Sequence, residues 1–302
     1  MLEVETTAYA AGGGFCAGHG MERKADMQAI EIKRDDGMVL RGCRKDPEGT
    51  VKAAVCLVHG LGEHGGRYGD VTGHLLREGI AILALDQRGH GLSEGRRGHL
   101  APRAAVIDDV DAMLLKARET WPGVPVWLYG HSLGGNIVLS HRLYGKVKAA
   151  GTVATSPWLI LASPPSALLV SVMQIGSRLM PAMTIKNGLP VDGLSHDAAL
   201  NRAYLDDPLV HPFISMLTAK DAMEMANEVI SRAAEDFGPL LLMHGDADPI
   251  CSVEGSRKLA AGAGARCTFH EWPDMRHELH HESIWPELAE EIAMWILQGG
   301  QK

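Results

Sequence analysis

VPVWLYGHSLGGNIVLSHRLYG, residues 124 to 145, is the stretch that decides the fold. An apolar run of strand type enters a glycine-bounded turn, a helical pattern leaves it, and Ser132 stands at the apex. Gly130, Gly134 and Gly135 remove side chains where a sharp strand-to-helix turn would collide. This is the sequence form of a nucleophile elbow, G-x-S-x-G, in which a strained turn lifts a serine hydroxyl clear of a sheet. A second match, GLSEG at 91 to 95, fails the same test. Ser93 lies beyond Asp86 behind the loop DQRGH, and the polar run EGRRGHLAP follows it. Ser132 is the candidate nucleophile, and Ser93 is expected to be a loop residue.

Working outward, short apolar runs at 28–34, 38–44, 53–58, 80–85, 147–155, 239–245 and 266–272 join 124–129 as predicted strands. Helical patterns fall near 69–78, 103–119, 133–145, 253–261 and 284–297. Continuous apolar strands alternating with helices predict the α/β class, with a mostly parallel, doubly wound sheet covered on both faces. The rhythm breaks after Ser156 and resumes at PLLLMHG. The expected organisation is therefore a flexible Gly-rich leader at 1–27, a core at 28–156 and 237–302, and a helical cap inserted at 157–236.

Composition narrows the function classes. With 46% hydrophobic and 22% charged residues, the 302-residue chain reads as globular. A formal charge of −8 and the lack of a Lys/Arg stripe argue against a nucleic-acid partner. Five cysteines, odd in number and without CxxC, predict neither a disulfide framework nor a zinc site, so no metal is expected. Glu3 and Glu5 stand where a secretory signal needs positive charge, no apolar h-region follows, and no run of 18 apolar residues occurs. A cytoplasmic protein without membrane spans is expected. The residues carry no sign of oligomeric state.

A serine hydroxyl becomes a nucleophile when an imidazole takes its proton and a carboxylate holds that imidazole in place. Ligands of open α/β sheets bind outside the carboxyl ends of strands, so the acid belongs just after one. HGDADPI follows such a run and offers both Asp246 and Asp248. The last strand runs into PDMRHELHHE, so His270, His277, His280 and His281 compete for the base. His270 falls within the strand, and His280 and His281 are expected to open the last helix. His277 sits in the loop, where a base can swing over the sheet.

HGLGEHGGRY (59–68), LDQRGHGLSEG (85–95), GHSLGG (130–135), DPLVH (207–211), GDADPIC (245–251) and RHELHHE (276–282) resemble the monoacylglycerol lipase and lysophospholipase branch of the α/β-hydrolases, also called serine aminopeptidase-like hydrolases. The likeness runs from residue 28 to the end. It implies Ser132 as nucleophile, Asp248 as orienting acid and His277 as base. It further implies an oxyanion hole from the backbone N–H groups of Leu61 and Leu133, and a polar, glycerol-binding end at Glu63, Arg67 and His280. No cofactor is implied, and the substrate class is a small lipid ester.

Other residues carry plainer expectations. His59, His64, Asp86, Arg88 and His90 read as loop-holding hydrogen-bond residues, and Cys251 as a buried thiol near the site. PSALLVSVMQIGSRLMPAM (165–183) is more apolar than a surface helix needs. Either it packs on the core, or it forms a lid over an acyl channel that touches a membrane or micelle. Two alternatives to the lipid esterase remain. An aminopeptidase of the same fold would use cap carboxylates such as Asp192, Asp197, Asp206 and Asp207, and a non-catalytic binding protein could occupy the same scaffold.

Overall fold

The computed structural model describes residues 27–235 and 238–301. The expected leader lies outside them except for Met27. Strands β1 (Met27–Lys33) and β2 (Val39–Lys45) pair antiparallel, and β2 pairs antiparallel with β4 (Ile80–Leu85). The remaining neighbours are parallel: β4 with β3 (Ala53–Val58), then β5 (Val126–His131), β6 (Thr152–Thr155), β9 (Leu240–Gly245) and β10 (Cys267–Trp272). The sheet order is β1-β2-β4-β3-β5-β6-β9-β10. The expected mostly parallel α/β core is what forms.

The helices of the described residues are α1 (Gly69–Arg77), α2 (Arg103–Thr120), α3 (Leu133–Tyr144), α4 (Ala167–Leu179), α5 (Ala198–Asp206), α6 (Met216–Ser231), α7 (Val253–Ala263) and α8 (Trp285–Leu297). In β3, Ala53, Val55 and Leu57 enter one core layer with α1 and α8, while Ala54, Cys56 and Val58 enter the other with α2, α3 and α6. Successive side chains of a strand point to opposite faces. A strand buried on both faces therefore reads as an unbroken apolar run.

Several boundaries move. β5 covers 126–131 rather than 124–129, so the strand runs into Ser132 without a gap. The predicted 147–155 strand shortens to Thr152–Thr155, and Val147 and Ala149 before it pack against the core. His280 and His281 do not open the last helix. They lie in a separate 3-10 turn, Leu279–His281, and the helix starts at Trp285 with a proline in its first turn.

Between β6 and β9 the chain leaves the sheet through α4, the antiparallel pair β7 (Thr184–Lys186) and β8 (Phe213–Ser215), α5 and α6. Within the stretch expected as cap, α6 packs on the core layer. Its Ala222, Met225, Ala226 and Val229, spaced i, i+3, i+4, i+7, form one buried face against the α3 side of the sheet.

Candidate active site

Ser132 adopts φ 53° and ψ −118°, a backbone state that side-chain-bearing residues rarely occupy. Three backbone hydrogen bonds hold the strain: Ser132 N–H donates to Thr155 O (3.0 Å), and Ser132 O accepts from Trp158 (2.9 Å) and Asn136 (3.0 Å). A Cβ on Gly134 would stand 2.0 Å from Val58 O, so the elbow can close against the end of β3 only with glycine there. Ser132 is also the N-cap of α3, yet its hydroxyl makes no capping bond. Ser166, Ser215 and Ser252, at the starts of α4, α6 and α7, each accept an N–H of their own helix. The Ser132 hydroxyl is turned away from the helix and lines a cavity instead.

The carboxylate of Asp248 receives four donors. Its Oδ1 accepts Ile250 N–H (2.8 Å) and Cys251 N–H (3.0 Å), and its Oδ2 accepts His277 Nδ1 (2.7 Å) and His244 Nε2 (3.2 Å). Burial opposes its ionisation, but His277 and these hydrogen bonds win and hold the carboxyl well below the usual carboxylate range. Burial likewise pulls His277 down, and the facing Asp248 charge more than offsets it, leaving the imidazole above its ordinary value. Beside it, His131 is pushed to about 3, chiefly by burial and then by His277, so it stays neutral and leaves the charge to its neighbour. No hydrogen bond joins Ser132 to His277 among the described residues. The two share the wall of one cavity, with the Nε2 edge of His277 unbonded.

Two backbone donors flank the serine, Leu133 buried and Leu61 partly buried. Neither Leu61 nor Leu133 N–H has an acceptor among the described residues, although backbone donors inside proteins are nearly always paired. Leu133 opens α3, whose N-terminus carries partial positive charge. Such a pair of donors suits a developing oxyanion.

The cavity measures about 440 Å³, and its wall carries both apolar and polar side chains. Trp158, Leu169, Met173, Ile185, Ile214 and Met223 make the apolar part, while Glu63, Glu278 and Tyr204 make the polar part. Glu63 Oε1 accepts Gly60 N–H (2.6 Å) and Tyr68 O–H (2.7 Å), and its Oε2 takes Arg67 (2.7 Å). Arg67 also forms a fork onto both oxygens of Glu278 (2.6 and 2.8 Å). Arg67 and His280, expected to touch the head group, are not among the residues lining the cavity. Arg67 is held by two carboxylates, and His280 is buried against Tyr68 (ring centroids 4.3 Å) and His131 (4.8 Å).

The loop residues behave as expected. Ser93 Oγ accepts Arg41 N–H (2.8 Å) and donates to Asp86 O (2.6 Å). Asp86 accepts Gly65 and Leu92 N–H, His59 accepts Gln87 N–H, His64 bonds Asp207, Arg88 pairs with Asp109 and Asp36, and His90 bonds Arg88 O. Cys251 lines the cavity, and burial first, then the Asp248 charge, raises its thiol well above the ordinary value. His270 pairs with Glu291 on the outer edge. None of Asp192, Asp197, Asp206 and Asp207 lines the cavity; Asp197 caps α5, Asp206 pairs with Arg202, and Asp207 holds His64. Sequence reasoning missed Glu278, Tyr204 and His244. Only Glu278 left a signal, as the carboxylate next to His277.

This sheet order, with a strained serine between β5 and α3 and an Asp–His pair after β9 and β10, defines an α/β-hydrolase. The chain belongs to the family described as Serine aminopeptidase, S33, whose model matches residues 49–284. It is 30% identical over 253 residues to a monoacylglycerol lipase of Mycolicibacterium smegmatis, covering 83% of this chain and 90% of that protein. An abhydrolase domain-containing protein of Dictyostelium discoideum is 35% identical over 247 residues; the match covers 81% of this chain but 26% of that longer protein. Among solved structures, the monoacylglycerol lipase of Paleococcus ferrophilus superposes with a TM-score of 0.77 at 31% identity, covering 85% of this chain and 98% of that one.

Proposed function

We propose that the protein is a carboxylic ester hydrolase that cleaves single-chain lipid esters, monoacylglycerol above all, to fatty acid and glycerol through an acyl-enzyme on Ser132. The observation that carries this is the uncapped Ser132 hydroxyl sharing a cavity of mixed apolar and polar lining with His277, which is held by Asp248. Relatives named for monoacylglycerol hydrolysis support the substrate class. His277 Nε2 takes the Ser132 proton as Oγ attacks the ester carbonyl, and Leu61 and Leu133 N–H hold the oxyanion. The leaving glycerol oxygen then takes that proton from His277. Water, deprotonated by the same nitrogen, releases the acid. These steps draw on the chain's own groups and water alone.

Glu63, aimed into the cavity by Gly60 and Tyr68, accepts a glycerol hydroxyl, and Arg67 with Glu278 fixes its direction. The cap, taken as 157–215, supplies the acyl wall through Leu169 and Met173 of α4. Its outer stripe, Leu168, Val172, Ile175 and Leu179, stays bare: Leu168 is 76%, Ile175 61% and Leu179 74% exposed. That stripe rests on the micelle or membrane surface from which substrate comes. No described helix is long and apolar enough to cross a membrane.

A fluorophosphonate probe and a panel of matched ester and aminoacyl amide substrates test this. Labelling at Ser132 with turnover of monoacylglycerol is expected. Turnover confined to aminoacyl amides would replace the lipid assignment with the peptidase, and absence of both labelling and turnover would leave a binding scaffold.

A further inference from the structure

Ester hydrolysis by Ser132 needs one imidazole on Asp248, but the structure supplies two. His244 stands at the end of β9, fully buried, and its Nε2 lies 3.2 Å from Asp248 Oδ2 and 2.9 Å from Cys251 O. Its Nδ1 lies 2.7 Å from the hydroxyl of Ser256, fully buried on α7. Both partners of Nε2 are acceptors, so that nitrogen bears the hydrogen. Nδ1 then accepts from Ser256, which has a hydroxyl hydrogen to donate. Every polar atom of the imidazole is thereby assigned and one tautomer is selected.

We propose that His244 is a positioning residue for the reaction, a donor anchored by Ser256 that holds the Asp248 carboxylate alongside His277. It rests on the assignment of Asp248 and His277 as acid and base. The two imidazoles have mirrored tasks on one oxygen: His277 donates through Nδ1 and keeps Nε2 for the serine, whereas His244 donates through Nε2 and is anchored through Nδ1. His244 Nε2 also grips the carbonyl of Cys251, whose N–H binds the other carboxylate oxygen. The carboxylate is thus held by one small ring of contacts. Groups that orient a catalytic or metal-binding side chain at one remove commonly matter by factors of ten to a hundred.

Removing the His244 donor leaves Asp248 less neutralised and freer to turn. A less neutralised carboxylate raises the basicity of His277, and a freer one misplaces it. The test compares His244→Leu, His244→Gln and Ser256→Ala with the unaltered chain on a soluble ester. His244→Leu should lower kcat roughly tenfold to a hundredfold with KM unchanged, and shift the acid limb of kcat/KM upward. His244→Gln, which keeps a donor at the same reach, should restore most of kcat and the original limb. Ser256→Ala should move both readouts in the direction of His244→Leu by less, and it covers the case in which the leucine variant fails to fold. The downfield proton resonance of His277 Nδ1–H gives a readout independent of substrate, and it should shift in His244→Leu but not in His244→Gln. An unshifted resonance and limb in a folded His244→Leu or Ser256→Ala, or equal loss in the leucine and glutamine variants, would overturn the proposal. Ser132→Ala is run alongside. If it keeps ester hydrolysis, the functional assignment falls, while the resonance still decides the role of His244.

Discussion

The backbone N–H of Asp274 donates to the carboxylate of Asp246 at 2.7 Å, which ties the loop after β10 to the loop after β9. Asp246 is exposed, and its own N–H goes to Trp272 O (3.0 Å). Two residues later Asp248 turns inward to His277. The two acids of one DAD run therefore do different work. Asp248→Asn should lower kcat on the order of 10⁴-fold, because the amide no longer selects the His277 tautomer. Asp246→Asn, whose amide oxygen still accepts the Asp274 N–H, should keep kcat within a few fold and cost less than about 1 kcal/mol of stability. Steady-state kinetics with urea unfolding of both variants decides it, and the reverse ranking would move the acid to Asp246.

The two G-x-S-x-G serines separate in the same way. Ser132→Ala should abolish probe labelling and ester turnover. Ser93→Ala should leave both, and lose about 1 kcal/mol from the bonds to Arg41 and Asp86. Loss of labelling in a folded Ser93→Ala would reverse the assignment.

The rate should fall on the acid side at a pH above the ordinary imidazole value of about 6.5. His277 must be neutral to take the serine proton, and the Asp248 charge raises it against the pull of burial. Activity is then present above the raised value and lost as pH drops through it. A kcat/KM profile on a non-ionising ester reads this directly. In Asp248→Asn that limb should move down; an unmoved limb would show that another group titrates.

Breaking the buried Glu63–Arg67–Glu278 network should be costly. Arg67→Met leaves two carboxylates facing each other without a cation, for a loss of about 3–5 kcal/mol at neutral pH. In the unaltered chain Arg67 outweighs burial and holds both carboxyls below their usual range. Their contribution is present above the unfolded carboxyl value and lost as pH falls through the folded ones. In the variant both are raised instead, so acidification relieves it. The stability gap should narrow from pH 7 towards pH 4 in urea titrations, and a constant gap would mean lost packing rather than lost charge.

Chain length should be read by the apolar end of the cavity. Each buried CH₂ adds about 0.8 kcal/mol, so across a series of monoacylglycerols kcat/KM should rise about fourfold per methylene until the cavity fills. Triacylglycerol should be slower, because its extra chains meet the Glu63 end. The paired change Ile175→Lys and Leu179→Lys should depress turnover of micellar substrate and spare a short soluble ester. Equal effects on both substrates would assign the stripe to packing.

Much of this was legible in the chain itself. The elbow at Ser132 was readable because strand, glycine turn and helix are local, and each leaves its own pattern in consecutive residues. The parallel core was readable because strands buried on both faces must be apolar throughout, as 53–58 and 80–85 are. The DAD and RHELHHE runs narrowed the acid and base to a few residues each. Tertiary structure decided the rest. The register of β9 beside β10 brings Asp248 and not Asp246 to His277, although 29 positions separate them in the chain. Arg67 meets Glu278 across 211 positions and is held between it and Glu63. His244 finds Ser256 only because α7 folds back over the strand end. The apolar helix at 167–179 was visible as composition, but that its stripe would stay bare was not. Periodicity records how apolar a position must be, whereas a hydrogen bond forms only where rigid elements bring two particular atoms within about 3 Å, a condition on distant parts of the chain together.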